Sequence, residues 1–140
     1  MSWYEQIENN VLTYIKSTME EKGYTPRLTA ILDKTIVDEN GVPKKLPTVY
    51  IHSLNPAEIG NTLENTDLNA VLMTIEIQIF SSSYNESQTL RGIAFDCMKH
   101  LRFSAPMLPI TTNQGEYFLT IARYRRVVGA NDSELVSQEA

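Results

Sequence analysis

A chain of 140 residues, 42% hydrophobic and 21% charged, can build one globular core and is too short for two full domains. Its net charge of −5, from 12 basic and 17 acidic residues, weighs against general nucleic-acid binding, which favours a basic surface, and no sequence-specific nucleic-acid partner is expected. One cysteine excludes an intramolecular disulfide, and no segment approaches the ~18 uninterrupted apolar residues of a membrane span. Met1–Ser2–Trp3–Tyr4–Glu5 lacks a basic n-region, so a soluble, unprocessed chain is expected, and no recurring unit marks it as a repeat protein.

The first element reads as a helix from about Trp3 to Lys22, with Ser2 and Glu5 at capping-box spacing and Gly23 as its stop. Trp3, Ile7, Val11, Tyr14 and Ile15 share one face, bordered by Leu12 and Met19, so this helix packs against something. Arg27–Val37 has strand composition and ends at the turn-like Asp38–Glu39–Asn40–Gly41. Thr48–Ser53, with Val49 and Ile51 alternating with Tyr50 and His52, reads as a short strand. Leu54–Asn69 reads as a long polar connection of the kind that often carries function.

Ala70–Ser81 is the strongest local signal. Val71, Met73, Ile75, Ile77 and Ile79 occupy one face while Thr74, Glu76 and Gln78 interrupt the other. A second helix follows to about Leu101, with Asn85 or Ser87 as its cap and an apolar stripe of Leu90, Ile93, Ala94, Cys97 and Leu101. Pro106 and Pro109 break the pattern, and Asn113–Gln114–Gly115 predicts a tight turn before a last strand over Tyr117–Val128. Residues 1–129 therefore make one domain, and 130–140 read as a flexible polar tail. The expected fold is α+β: a two-layer sandwich in which two main helices cover one face of an about four-stranded mixed or antiparallel sheet. Leu72 and Phe80, with the aromatic residues of the last strand, leave more apolar surface than two helices cover, and such surface usually meets a partner.

Chemistry-bearing patterns are sparse. Cys97 and His100 are three apart on a helix, but Cys97 sits in the centre of an apolar stripe, where a thiol behaves as a small hydrophobe. His52, His100 and one cysteine form no metal-ligand pattern, and neither phosphate-binding glycine loop is present, so no metal, cofactor or catalytic residue is assigned. The concentrated feature is the basic run Arg123–Tyr124–Arg125–Arg126. It reads either as a strand end in water, neutralised by Glu76 or another carboxylate on a neighbouring strand, or as a contact patch for a partner. The candidate interface is Arg123, Tyr124, Arg125, Arg126, Glu76 and Phe80, with the Leu54–Asn69 connection beside it.

The order of elements, with Pro47–Thr48–Val49–Tyr50–Ile51, Thr74–Ile75–Glu76–Ile77–Gln78–Ile79–Phe80–Ser81 and Ala122–Arg123–Tyr124–Arg125–Arg126–Val127–Val128–Gly129, resembles the tail terminator, or tail-completion, proteins of long-tailed bacteriophages. The resemblance runs from about Trp3 to Gly129 and includes no signature motif. It implies a non-enzymatic virion protein, assembled in the host bacterial cytoplasm. Such a protein forms a homohexameric ring at the head-proximal end of the tail tube, where it contacts the tube protein and the capsid neck or connector. Another phage neck adaptor, a tail-assembly chaperone and a small enzyme using Cys97 are the alternatives.

Overall fold

The chain enters the fold through a single 3-10 turn, Trp3–Gln6, that continues as helix α1, Ile7–Glu21. A computed structural model describes residues 3–54, 57–61, 68–129, 131–132 and 135. The expected cap residue Ser2 lies outside them. Ile7, Val11, Ile15 and Met19 recur every four residues and are all buried, so Met19 belongs to the centre of the stripe rather than its border. Gly23, at φ +88°, closes the helix: its N–H bonds to Glu20 O at 3.0 Å and the Tyr24 N–H to Met19 O at 2.9 Å.

Helix α2, Tyr84–His100, is capped by Ser83 instead of Asn85 or Ser87. Ser83 is the last extended residue, and its Oγ accepts from the Glu86 N–H at 3.3 Å. The buried stripe contains all five expected residues together with Ser87 and Met98. Its end has the same closure as α1, with Arg102 N–H to Lys99 O and Phe103 N–H to Met98 O, both 2.9 Å. Here Arg102 rather than glycine takes the left-handed conformation, at φ +68°. Arg102→Gly is expected to raise stability by roughly 0.5–1 kcal/mol in urea unfolding, once glycine's larger unfolded-state entropy is subtracted. A lower stability would mean that the Arg102 side chain contributes more than its backbone strain costs.

The strands are β1 Arg27–Thr29, β2 Thr48–Ser53, β3 Ala57–Asn61, β4 Leu68–Ser81, β5 Ser104–Asn113 and β6 Phe118–Gly129. They form one sheet in the order β1-β2-β4-β6-β5, with β3 also pairing with β4. β1 and β2 run parallel and the other pairs antiparallel. Among the described residues the architecture is the expected α+β arrangement of two main helices and a mixed sheet, with six strands instead of about four.

Three expectations are corrected. Only three residues of Arg27–Val37 are strand, because the Asp33 carboxylate accepts from the N–H of Thr35 at 3.0 Å and its hydroxyl at 2.5 Å, turning the chain. The connection Leu54–Asn69 contains β3 and the start of β4, while 55–56 and 62–67 lie outside the described residues. The segment broken by Pro106 and Pro109 is strand β5, an edge strand whose register shifts between Ser104, Met107 and Ile110. An edge tolerates proline because the missing N–H can face away from the ladder.

The helices cover the face built from Val49 and Ile51 of β2, the odd-numbered residues Val71–Ile79 of β4, and Ala122, Tyr124 and Val128 of β6. The expected polar tail contributes to this layer as well. Leu135 is buried in the core, and Asn10 Nδ2 donates to Leu135 O at 2.7 Å. Asp132 pairs with Arg126. The tail is thus docked at these described points.

Candidate interaction surface

The opposite face of the sheet carries the chemistry. Because β4 pairs in unbroken register with β6 from Ala70↔Gly129 to Ser81↔Phe118, alternation assigns every side chain of the basic run to a face. Arg123 and Arg125 point to the open face. Tyr124 and Arg126 point to the helix side.

Register also aligns a row across four strands: His52 opposite Glu76, Glu76 opposite Arg123, and Arg123 opposite Met107. Glu76 is only 6% exposed. Its Oε1 accepts from Gln78 Nε2 at 2.8 Å and lies 2.8 Å from His52 Nε2, while Oε2 accepts from Arg123 Nε at 2.8 Å. The His52 ring stacks on Tyr50 with centroids 4.4 Å apart. Burial pushes the Glu76 carboxyl up, but the hydrogen bonds from Gln78, His52 and Arg123 outweigh it and hold the group below the ordinary carboxylate range. Neutralisation of the basic run by Glu76 is therefore realised at Arg123.

A carboxylate held below its ordinary pKa of 4.5 stabilises the fold above that value, and the stabilisation is lost as pH falls through the lower folded value. Glu76→Gln is expected to cost about 1–2 kcal/mol at pH 7, between the values for an exposed and a fully buried pair, because Arg123 is more than half exposed. The variant is also expected to lose part of the wild-type weakening below pH 4.5. Urea unfolding at pH 7 and pH 3 checks both, and an unchanged difference between the two pH values refutes the role assigned to Glu76.

Beside this row the surface is apolar. Met107, Leu108 and Ile110 of β5 are 63%, 71% and 58% exposed, Ile121 of β6 extends the patch, and Val127 is exposed on the same face beyond Arg125. A shallow cavity of about 390 Å³ opens among Met107, Leu108, Ile110, Leu119, Ile121 and Arg123. Large side chains exposed together in this way are characteristic of contact surfaces.

Of the sequence-derived interface residues, the structure brings Glu76 and Arg123 together and leaves Arg125 exposed on the same face. Tyr124 is 1% exposed and offers nothing to a partner. Arg126 is turned inward, donating from Nη1 to Leu101 O at 2.9 Å and pairing with Asp132. Phe80 shares the open face but is buried, with its ring 5.9 Å from that of Tyr117. The apolar surplus expected at Leu72 and Phe80 sits instead on β5, in the segment whose prolines hid its strand character. Met107, Leu108 and Ile110, the most exposed of the patch, were missed for that reason. Their large apolar side chains, two between the prolines and one directly after Pro109, were the available signal.

Cys97 is buried, and burial pushes its thiol up, away from the thiolate a nucleophile needs. The His100 ring stacks on Tyr14 at 5.9 Å. Among the described residues no group of three or more His, Cys, Asp or Glu side chains is placed to hold a metal ion, and no helix is long and apolar enough to cross a membrane. No protein-family model and no curated protein matches the chain.

Proposed function

We propose that this chain is a structural assembly subunit of the tail-terminator kind. It forms a ring, hexameric in that family, that caps the head-proximal end of a phage tail tube and joins it to the capsid neck. The observation that carries the reading is the exposed apolar patch on edge strand β5 and its neighbour β6, surface that a solitary soluble subunit has reason to cover. The partners are further copies of itself, the tail tube protein and the capsid neck or connector protein, and the location is the virion. The burial of Cys97 supports this reading over an enzyme that uses its thiol.

Size-exclusion chromatography with light scattering, followed by electron microscopy, tests the proposal. The expected result is a closed ring whose mass is a whole multiple of 15.9 kDa. A strictly monomeric protein that also fails to form rings when mixed with tail-tube subunits overturns it.

A further inference from the structure

The exposed large apolar side chains are not scattered. Among the described residues, apart from Tyr84, whose ring packs edge-on to Phe118, they fall toward the two opposite ends of the sheet's main strand order. Tyr24 and Ile31 flank β1 at one edge, and Met107, Leu108, Ile110, Ile121 and Val127 lie on β5 and β6 at the other. The strands that end the sheet's main path are bonded on one side only, β1 to β2 and β5 to β6, and β3, off that path, is bonded only to β4.

The edges also differ in charge. On the β5–β6 side the exposed Arg125 guanidinium has no partner among the described residues, and Arg123 commits only its Nε to Glu76. On the β1 side Glu20, Glu21 and Glu39 are exposed and their carboxylates have no partner among the described residues. Glu20 and Glu21 occupy the last turn of α1, which holds no basic residue. That is the helix end where the backbone dipole disfavours anions, so a docked cation relieves the position. Lys22, Lys34, Lys44 and Lys45 share this edge, so it is mixed in charge; on the β5 side the strand residues carry arginine and no carboxylate, and the exposed Asp96 of α2 beside Leu108 shares its hollow with Arg91.

These observations select among the ways two copies can meet. Joining β5 edge to β5 edge buries apolar surface but sets arginine against arginine. Joining the β5 edge of one copy to the β1 edge of the next buries apolar surface at both and sets Arg125 against carboxylates. Pro106 and Pro109 remove two donors from β5, so the contact is made mainly by side chains and not by an endlessly extended ladder. We infer that copies of this chain associate head to tail, the β5–β6 edge around Leu108 and Arg125 docking on the β1 edge around Ile31 and Glu39 of a second copy. This rests on the ring reading above and gives that ring its polarity, since a heterologous contact closes into a ring when its rotation divides a full turn.

Two variants separate the edges: Leu108→Asp with Arg125→Glu, and Ile31→Asp with Glu39→Lys. All four sites are exposed, and thermal unfolding is the check that each variant folds. Light scattering is expected to find the wild type assembled and each variant alone at the 15.9 kDa monomer mass. Mixed in equal amounts, the variants have one intact edge of each kind between them. They are expected to give a species of twice that mass and nothing larger. The milder Leu108→Ser and Ile31→Ser are each expected to weaken assembly at least 10-fold, and serve if a charged variant fails to fold. Variants that assemble like the wild type overturn the inference and leave the ring reading standing. So does a mixture that stays monomeric, or self-association of the Ile31→Asp variant through its intact β5 edge. A monomeric wild type overturns the inference too, and the ring reading then stands or falls on mixing with tail-tube subunits.

Discussion

Tyr124→Ala is expected to lower the unfolding free energy by about 3–5 kcal/mol, the range for truncating a large aromatic in a core. Tyr124 heads the fully buried side chains by volume, sits opposite Ile75 in the β4–β6 register, and meets Phe95 edge-on with ring centroids 6.2 Å apart. At this chain length the loss corresponds to a fall in Tm of roughly 10–15 °C. Arg125→Ala, one position along and exposed, is expected to stay within about 0.5 kcal/mol. Thermal and urea unfolding of the two variants compare the faces of one strand directly, and similar losses from both refute the facing described above. The same side chain sets an alkaline limit. Burial pushes the Tyr124 phenol up to about 12 against the opposing charge of Arg91. A raised folded value means that the stabilisation is complete below the ordinary pKa of 10.0 and is lost as pH rises toward about 12. The loss is about 2–3 kcal/mol, and Tyr124→Phe is expected to remove it. Unfolding at pH 9 and pH 11.5 measures both.

Arg126→Ala is expected to cost about 3 kcal/mol, for a different reason. Arg126 and Asp132 form an ion pair with side chains each 11% exposed, and Arg126 also satisfies the Leu101 carbonyl at the end of α2. Truncation leaves the Asp132 carboxylate buried without its cation. It also loosens the segment that delivers Leu135 to the core beneath Asn10. Limited proteolysis is expected to cut the variant after Gly129 faster than the wild type. Replacing both partners, Arg126→Met with Asp132→Leu, is expected to recover part of the stability, because the buried charge is removed while the Leu101 carbonyl and the Leu135 N–H still lose these partners. An equal loss in the double variant would assign the effect to these hydrogen bonds and to packing of the Arg126 stem instead.

What could be read from the sequence follows from how local each signal is. Val71–Ile79 alternates so cleanly that β4 and its buried face are legible without a partner, and the one-sided stripes of α1 and α2 are likewise properties of single segments. β5 was opaque because Pro106 and Pro109 are breakers by local rules and acceptable only at an edge, a fact about neighbours. Arg27–Val37 misled in the opposite sense, since Leu, Ile, Thr and Val composition does not reveal that Asp33 turns the chain. In the site, the pairing of Glu76 with Arg123 was open to inspection because both lie on recognisable strands. His52 joins them only through the register of a third strand. Likewise Arg123–Arg126 reads as one basic patch along the chain, and only the pleat divides it into two exposed and two inward residues.

The twelve consecutive β4–β6 partners act as a parity lock. Sliding β6 by one residue would bring Arg123 and Arg125 under the helices and expel Tyr124 and Val128 into water, so a single-residue insertion or deletion within either strand inverts a whole layer. A two-residue slide keeps each side chain on its own side but carries Arg123 away from Glu76. The protein can therefore drift in length at its turns, such as Asn113–Gly115, while its two central strands admit substitution but not a change in count.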